Sequence, residues 1–342
     1  MAQLIKPDYP FIPYELLNTG KVRETFLIRL PDGREYLLIV TSDRISALDY
    51  VLKSKIEGKG IVLNQISNSF MKDFIPTSNH IVETDIDAII KLVPGLARFA
   101  NILRDRVVLA EKLNMFPLEC IFRGYFTGSV VEKYNKDNNG MVLGHNVGFG
   151  LKNWDKFPNG PIFTPSDKAP LGRHDTNLTI AEAKKLMEER GFGGWIEKIE
   201  SDGLRLFNEV SEYALSEDIV IIDTKFECGL DANGNLKYGD EFFTPDSSRF
   251  VEKEELKRAT EEGRDPISLD KESVRRLVRA VKKQRQAEGR DIEQQELELD
   301  EKDIKKTIKT YQEIHNRLIG KDRNPSATKQ LQRIYAENDL GR

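Results

Sequence analysis

Cysteine is nearly absent from this chain of 342 residues, which contains only Cys120 and Cys228. Two cysteines are too few for the disulfide framework of a secreted scaffold, and both lie in apolar runs, so we expect buried thiols. The sequence also lacks any uninterrupted apolar stretch approaching the roughly 20 residues that span a bilayer. Its first residues lack the basic segment and apolar run of a signal peptide. These absences predict a soluble, cytoplasmic protein.

A strong excess of charge of either sign is missing as well. Lysine and arginine together number 52, aspartate and glutamate 56, and the formal net charge is −4. A balanced surface offers no footprint for nucleic acid or for an anionic membrane, so we expect neither as a partner. Apolar residues make up 39% of the chain, enough for a sizeable core, and this length suits two domains.

The order of the predicted elements favours an α+β fold. A proline-glycine turn signal at 31–33, between two apolar and β-branched runs, predicts a β-hairpin over 22–41. Helical spacing of apolar residues predicts helices over 60–75, 180–191 and about 195–216. Dense charge with few strand formers predicts surface helices within 252–317. Strands that come first and helices that come last predict an N-terminal antiparallel sheet lobe and a larger C-terminal α/β lobe.

Residues 107–123 predict two strands with a short break at 114–117, which we interpret as a hinge between domains. This interpretation places one domain at 1–113 and the other at 114–342. The first domain would be the sheet lobe. The second would contain the remaining elements, including the charged helices near the C-terminus.

The segment 218–250 predicts a second hairpin, and its first strand carries ionisable residues. Side chains alternate between the two faces of a strand, so Asp223, Lys225 and Glu227 share one face. A solvated face is the plain explanation for such a row. The dipeptide Asn233-Gly234 favours a two-residue hairpin loop, which would place Glu227 directly opposite Asp240.

Two carboxylates that face each other across a hairpin suggest a divalent cation between them. Like charges directly opposite each other destabilise a sheet, whereas Mg²⁺ is commonly held by one or two carboxylates together with substrate phosphates. We therefore predict Mg²⁺ ligands at Glu227 and Asp240. In this register Glu241 points away from Glu227, and Lys225 lies where it could contact a phosphate or a carboxylate.

Seven segments, in this order and spacing, resemble the SAICAR synthetase family of de novo purine synthesis. They are TGKVRETF (19–26), TSDRISALD (41–49), EGKGIVLNQIS (57–67), PLECIFRGYFTGS (117–129), PIFTPSDKA with GRHDTN (161–177), IIDTKFECG (221–229) and GDEFFTPDSSRF (239–250). The segment 303–320 is similar to the family's closing helix, and 251–300 is the least similar stretch. The resemblance implies a kinase-like or ATP-grasp-like architecture with an ATP cleft between the lobes.

The resemblance also implies a reaction. ATP would phosphorylate the carboxylate of carboxyaminoimidazole ribonucleotide, and the amine of L-aspartate would displace the phosphate, which gives SAICAR, ADP and phosphate. The expected partners are therefore ATP, this ribonucleotide and L-aspartate, with Mg²⁺ as the cofactor. Neither the sequence nor the resemblance specifies an oligomeric state.

The matching segments imply roles for individual residues. Lys225 and Asp223 would act in catalysis. The implied nucleotide-binding residues are Gly20, Lys21, Arg23, Lys112, Met115 and Lys168. The implied substrate-binding residues are Asp43, Arg44, Arg123, Ser129, His174, Asp175, Asp246, Ser247 and Arg249.

Several of these residues also have plain structural explanations. Asp43 and Arg44 could form a buried ion pair with each other. His174 and Asp175 could cap the helix that follows them, which is a common position for Asp. Asp246 and Ser247 could simply start a turn.

Two other classes of function share parts of this pattern. A kinase-like phosphotransferase would share the metal hairpin, although the kinase pattern HRDxxxxN is absent from the sequence. A nucleotide-binding module without catalysis would be expected to have lost some of the charged site residues. Release of ADP that requires both the ribonucleotide and aspartate distinguishes the ligase from both alternatives.

Overall fold

The computed structural model describes residues 5–137, 139–168, 175–320, 331–334 and 336. Contacts divide the chain into two units. The first comprises the described residues within 1–72, 77–113 and 270–342, and the second those within 73–76 and 114–269. No helix in these described ranges combines the length and apolar character needed to cross a membrane.

Groups of consecutive strands are separated by helices along the chain. The strands in the described part are β1 (Glu15–Thr19), β2 (Arg23–Arg29), β3 (Glu35–Thr41), β4 (Arg44–Ala47), β5 (Tyr50–Lys55), β6 (Ile81–Glu83), β7 (Val107–Glu111), β8 (Asn114–Met115), β9 (Leu118–Arg123), β10 (Met141–Val142), β11 (His145–Asn146), β12 (Ile162–Phe163), β13 (Ser166–Asp167), β14 (Ile219–Leu230), β15 (Leu236–Gly239) and β16 (Ser248–Glu252). The α-helices there are α1 (Lys59–Phe74), α2 (Ile86–Leu92), α3 (Ala100–Leu103), α4 (Ser129–Asp137), α5 (Ile180–Glu189), α6 (Ile196–Ser216), α7 (Lys253–Glu262), α8 (Glu272–Ala287) and α9 (Glu301–Leu318), and a 3₁₀ helix covers Pro94–Phe99.

The first unit is built on an antiparallel sheet with the strand order β1-β2-β3-β7-β6. The predicted hairpin over 22–41 is confirmed: β2 pairs with β3, and Gly33 N–H donates to the carbonyl of Leu30 at 2.9 Å to close the turn. Alternate residues such as Phe26 and Ile28 face a core to which α2 contributes Ile86 and Ile89. The predicted α1 is also present.

The segment 270–320 belongs to the same unit as the N-terminal sheet. Gln295 N–H donates to the carbonyl of Val51, and Lys53 N–H donates to the carbonyl of Leu297, both at 2.7 Å. The grouping therefore differs from the expected domain at 114–342, although a division does fall after Leu113. Dense charge predicts helices such as α8 and α9 but carries no signal for the distant elements they contact, β4 for α8 and, through His315, α1 for α9, which explains the difference.

A buried histidine couples the stability of the first unit to pH. Nε2 of His315 lies 2.6 Å from Oε1 of Gln65, and burial lowers the pKa of His315 from 6.5 to about 4. The unfolded chain therefore binds this proton more tightly than the folded chain. The contribution to stability is fully present above pH 6.5 and is lost as the pH falls from 6.5 to 4, by about 2 kcal/mol at pH 5.

We expect the His315→Gln variant to lose this component of acid sensitivity, because glutamine does not titrate. The measurement is the free energy of unfolding of both proteins in denaturant between pH 7 and pH 4. The comparison uses the slopes with pH, so a uniform loss of stability in the variant does not affect it. Equal slopes for the two proteins would contradict the assignment.

The second unit is built on an antiparallel sheet of long and short strands, with β14 at its centre. On one path through the described residues the strand order is β12-β9-β14-β15, and β8 and β16 also pair with β14. The predicted helices α5 and α6 are present, and α6 packs on β9 and β14. Phe122 of β9 stacks on Phe226 of β14, with ring centroids 5.0 Å apart. Strand β14 therefore lies at the centre of a packed sheet, which holds its side chains in place.

Candidate active site

The ionisable face of β14 is confirmed as a row of residues, each with a charged partner. Lys225 Nζ lies 2.8 Å from Oε1 of Glu119. Glu227 pairs with Lys168, and Asp223 pairs with two arginines described below. The row is therefore not simply a solvated face.

The register of the β14–β15 hairpin differs by one residue from the prediction. Glu227 pairs with Gly239, not with Asp240. The turn is longer than two residues, because Gly234 N–H donates to the carbonyl of Asp231 at 3.0 Å and Gly234 has a φ of +80°. The side chain of Asp231 also accepts from the backbone N–H of Asn233 and Asn235, at 2.9 and 2.8 Å, which favours the longer loop.

Asp240 nevertheless lies beside Glu227 in an acidic pocket. The pocket is lined by Glu119, Lys225, Phe226, Glu227, Asp240 and Glu241. Asp240 follows the last residue of β15 and has a φ of +59°, so the chain turns sharply there. Burial and the neighbouring charge of Asp240 raise the pKa of Glu227, against the opposing effect of Lys168.

The structure adds two carboxylates to the pocket, Glu241, which the predicted register turned away, and Glu119, which the sequence reasoning missed. Glu241 lines the pocket, whereas a strict two-residue loop would turn it away; its carboxylate accepts from the hydroxyl of Thr244. Glu119 raises the pKa of Lys225 above its ordinary value, although burial opposes this. A signal for Glu119 existed in the sequence, because it lies four residues before Arg123 and so on the same face of β9.

The acidic pocket fits a magnesium ion shared with a ligand. Its volume of about 30 Å³ has room for a metal ion or a water molecule. In the part of the chain that the structure describes, no group of three or more His, Cys, Asp or Glu residues could hold a metal ion by itself. A cation between Glu227 and Asp240 would oppose the repulsion that raises the pKa of Glu227, and phosphate oxygens and water would complete its shell.

Arg123 and Arg249 meet at the other end of the row. Both guanidinium groups donate to the carboxylate of Asp223, with N–O distances of 2.9 Å from Nη1 of Arg123 and 2.9 Å from Nε of Arg249. Burial lowers the pKa of Arg123, and so does the like charge of Arg249, although Asp223 opposes them. The negative charge of a bound anion would counteract both effects on the pKa of Arg123.

Ser129 and Gly128 complete a setting suited to that anion. Ser129 begins α4, where backbone N–H groups point out of the helix, and its Oγ accepts from Nδ2 of Asn177 at 3.1 Å. Gly128 has a φ of +73°, and a Cβ there would lie 2.9 Å from Nη2 of Arg249. The sequence reasoning did not select Asn177, although it ends the matching segment GRHDTN.

In the first unit, the predicted nucleotide loop lies between β1 and β2. Gly20 N–H donates to the carbonyl of Arg23 at 2.8 Å, which closes a tight turn around Lys21. Arg44 is 1% exposed, pairs with Glu24 at 2.7 Å, and donates to the carbonyls of Gly20 and Lys21. Arg44 therefore supports the backbone of this loop through hydrogen bonds.

The alternative that Asp43 and Arg44 form a buried ion pair with each other is wrong. Asp43 instead accepts from the N–H of Gly60 at 2.8 Å and pairs with Arg106. Lys112 is exposed and pairs with Glu35 at 3.0 Å.

The remaining candidates lie in the second unit. Met115 pairs in register with Gly229 of β14. Asp246 and Ser247 are buried, and Ser247 N–H donates to the carbonyl of Thr244, so the predicted turn is present. Asp175 is exposed and does not cap α5, which instead begins with a capping box formed by Thr179 and Glu182. His174 lies outside the described residues.

Comparisons of sequence agree on one family. A family model described as SAICAR synthetase matches residues 16–292. A phosphoribosylaminoimidazole-succinocarboxamide synthase of Lachnospira eligens is 38% identical over 314 residues, which cover 90% of this chain and 96% of that protein. The enzyme of the same name from Haemophilus influenzae is 36% identical over 306 residues, 89% of this chain and 96% of that protein.

Solved structures give the same result. A structure described as SAICAR-synthase from Saccharomyces cerevisiae complexed with SAICAR has a TM-score of 0.74 and 31% identity, and the match covers 93% of this chain and 98% of that one. A SAICAR synthetase described as type 2 and in complex with ADP has a TM-score of 0.59 and 22% identity, over 89% of this chain and 97% of that one. The second likeness supports the fold.

Proposed function

This chain belongs to the SAICAR synthetase family, and from that premise we propose how its residues carry out the reaction. The protein is an ATP-dependent ligase that joins L-aspartate to carboxyaminoimidazole ribonucleotide and forms SAICAR, ADP and phosphate. We further propose that it works in the cytoplasm and uses Mg²⁺.

The observation that carries the proposal is the charge pattern along β14. An acidic pocket surrounds Glu227, and two arginines meet at Asp223, four residues earlier on the same strand. At about 3.3 Å per residue, the two positions are roughly 13 Å apart. A metal–phosphate site at one end and a phosphate site at the other suit a reaction that brings ATP to the carboxylate of a ribonucleotide.

We propose a two-step chemistry for this site. A carboxylate oxygen of the ribonucleotide forms a bond to the γ-phosphorus of ATP, and the bond from that phosphorus to the bridging oxygen breaks, so ADP leaves with the electron pair. The aspartate nitrogen then bonds to the acyl carbon of this acyl phosphate. The carbon–oxygen bond breaks, phosphate leaves with the electron pair, and the amine gives up a proton.

The β14 row would place the reacting groups. Glu227 and Asp240 would hold Mg²⁺, and bound Mg²⁺ would neutralise charge that develops during phosphoryl transfer. The ammonium of Lys225, held by Glu119, would orient the carboxylate of the ribonucleotide. Asp223 would hold the two arginines so that they contact the 5′-phosphate. It would thus position these side chains, in addition to the catalytic role that the resemblance implies.

The other candidates would bind the two nucleotides. We propose that Gly20, Lys21 and Arg23 contact the ATP phosphates and that the chain near Lys112 and Met115 holds adenine. Lys168 would neutralise the charge of Glu227 until the nucleotide binds. Arginine forks suit phosphate oxygens, and a serine hydroxyl adds a further hydrogen bond. The remaining substrate residues would be Asp43, Arg123, Ser129, His174, Asp175, Asp246, Ser247 and Arg249. Arg44, expected from the resemblance to bind substrate, is instead 1% exposed and paired with Glu24, so we assign it to support of the phosphate loop.

The test of the proposed function is the release of ADP by the full chain. We expect ADP only when ATP, Mg²⁺, the ribonucleotide and L-aspartate are all present, with one SAICAR formed for each ADP. The assay omits one component at a time. Sustained ADP release without aspartate would indicate a phosphotransferase, and none with all components would indicate a binding module; either result would overturn the proposal.

A further inference from the structure

The hairpin β4–β5 carries a strained turn that faces the proposed phosphate loop. Ala47 pairs with Tyr50, so Leu48 and Asp49 alone form the connection, with φ values of +50° and +70°. Both positions of such a turn favour glycine or asparagine, and a bulky Leu there is costly. Strain of this kind persists only where surrounding contacts hold it, and it often occurs at functional sites.

The carboxylate of Asp49, at the tip of this turn, accepts a hydrogen bond from Nζ of Lys21. Lys21 is the lysine that we assign to the ATP phosphates. A lysine side chain loses rotamer entropy when it is fixed on a ligand, so a partner that already restricts it lowers the cost of placing the ammonium there.

A segment distant in sequence also contacts this turn. Residues 291–299, here called the strap, run alongside β5 in the same direction, since Gln295 bonds to Val51 and Leu297 to Lys53. The side chain of Gln294 makes one hydrogen bond to the turn and one to β5: its Nε2 donates to the carbonyl of Asp49 at 2.8 Å, and its Oε1 accepts from Val51 N–H at 2.7 Å.

We propose that Asp49 is a positioning residue for Lys21 and that Gln294 of the strap holds Asp49 in place. The strap would thereby join the C-terminal part of the chain to the phosphate loop. This inference rests on the proposed contact between Lys21 and the ATP phosphates.

The test compares Asp49→Asn and Gln294→Ala with the wild-type chain. Asparagine tolerates a positive φ as aspartate does, so the turn is retained while the charge is lost. We expect the KM for ATP to rise by about threefold to tenfold in both variants, the effect of one lost hydrogen bond, with kcat nearly unchanged. The matched control is Glu298→Ala, also on the strap, whose carboxylate pairs with Lys53 on the surface and not with the turn. It should leave both constants unchanged.

A double variant separates positioning from a merely structural role. In the Lys21→Ala background, Asp49→Asn should have no further effect on the KM for ATP, because its target is gone. A full additional effect there would overturn the inference, as would an unchanged or lowered KM in Asp49→Asn alone; a lowered KM would mean that Asp49 competes with phosphate. If Lys21→Ala itself leaves the KM for ATP unchanged, the proposed role of Lys21 fails, and the inference with it.

Discussion

Glu227→Gln and Asp240→Asn should each reduce turnover by at least about 100-fold while the chain remains folded. Both substitutions keep the shape of the side chain and remove one of the two charges proposed to hold Mg²⁺. Asparagine also tolerates the positive φ that Asp240 adopts. Without one of these carboxylates, the metal would no longer be fixed against the phosphates of ATP.

The measurement combines turnover with thermal unfolding, with and without magnesium and ATP. We expect the wild-type chain to gain stability from magnesium and ATP together, and the two variants to gain much less. In the absence of ligands, Asp240→Asn should be neutral or more stable by up to about 1 kcal/mol, because the repulsion of Glu227 is removed. Glu227→Gln should not show this gain, since it also loses the ion pair with Lys168.

Asp231→Asn is the matched control for both variants. It makes the same chemical change in the same hairpin, but at the exposed turn, where asparagine supports similar backbone hydrogen bonds. It should retain turnover and the stabilisation by magnesium and ATP. If Glu227→Gln or Asp240→Asn behaves like this control, that carboxylate is not a ligand; if both do, the hairpin has only a structural role.

The second large effect should be a loss of ribonucleotide binding in Arg249→Ala. A charge-assisted hydrogen bond to phosphate is worth about 1.5–3 kcal/mol, so the KM for the ribonucleotide should rise roughly 10-fold to 100-fold. The KM for ATP should stay within about twofold of the wild-type value. Arg123→Lys should likewise raise the KM for the ribonucleotide more than the KM for ATP. Lysine keeps the charge but loses the forked contact with Thr164 and Asp223.

Lysine is the better substitution at Arg123 because this guanidinium is buried against Asp223. Removing one partner of a buried ion pair can cost about 3–5 kcal/mol, which would confuse a binding defect with unfolding. Arg205→Ala is the control, since Arg205 lies on α6 and pairs with Glu209 on the surface. Equal losses toward both nucleotides in Arg249→Ala would indicate a folding defect and contradict the assignment.

The β14–β15 hairpin shows which structural features the local sequence can predict. Strand alternation places Asp223, Lys225 and Glu227 together, and this prediction is confirmed by the contacts of each residue. The exact register is wrong by one residue, because a glycine with positive φ serves both a two-residue loop and the longer turn. The proximity of Glu227 and Asp240 survives the shift, since Asp240 lies beyond the end of β15, where the chain turns.

The sequence by itself determined the family, the reaction class, the strands and helices that repeat a clear period, and the charged face of β14. The family and the reaction class follow from the order and spacing of seven segments, and the other features from residue spacing within single segments, all of which a linear chain displays directly. Only the tertiary structure decided the partners across long separations: Glu119 beside Lys225, Arg44 beneath the loop of Gly20, and Gln294 against the turn of Asp49. Such contacts join residues up to 245 positions apart, and the packing of whole elements brings them together, so no local pattern encodes them.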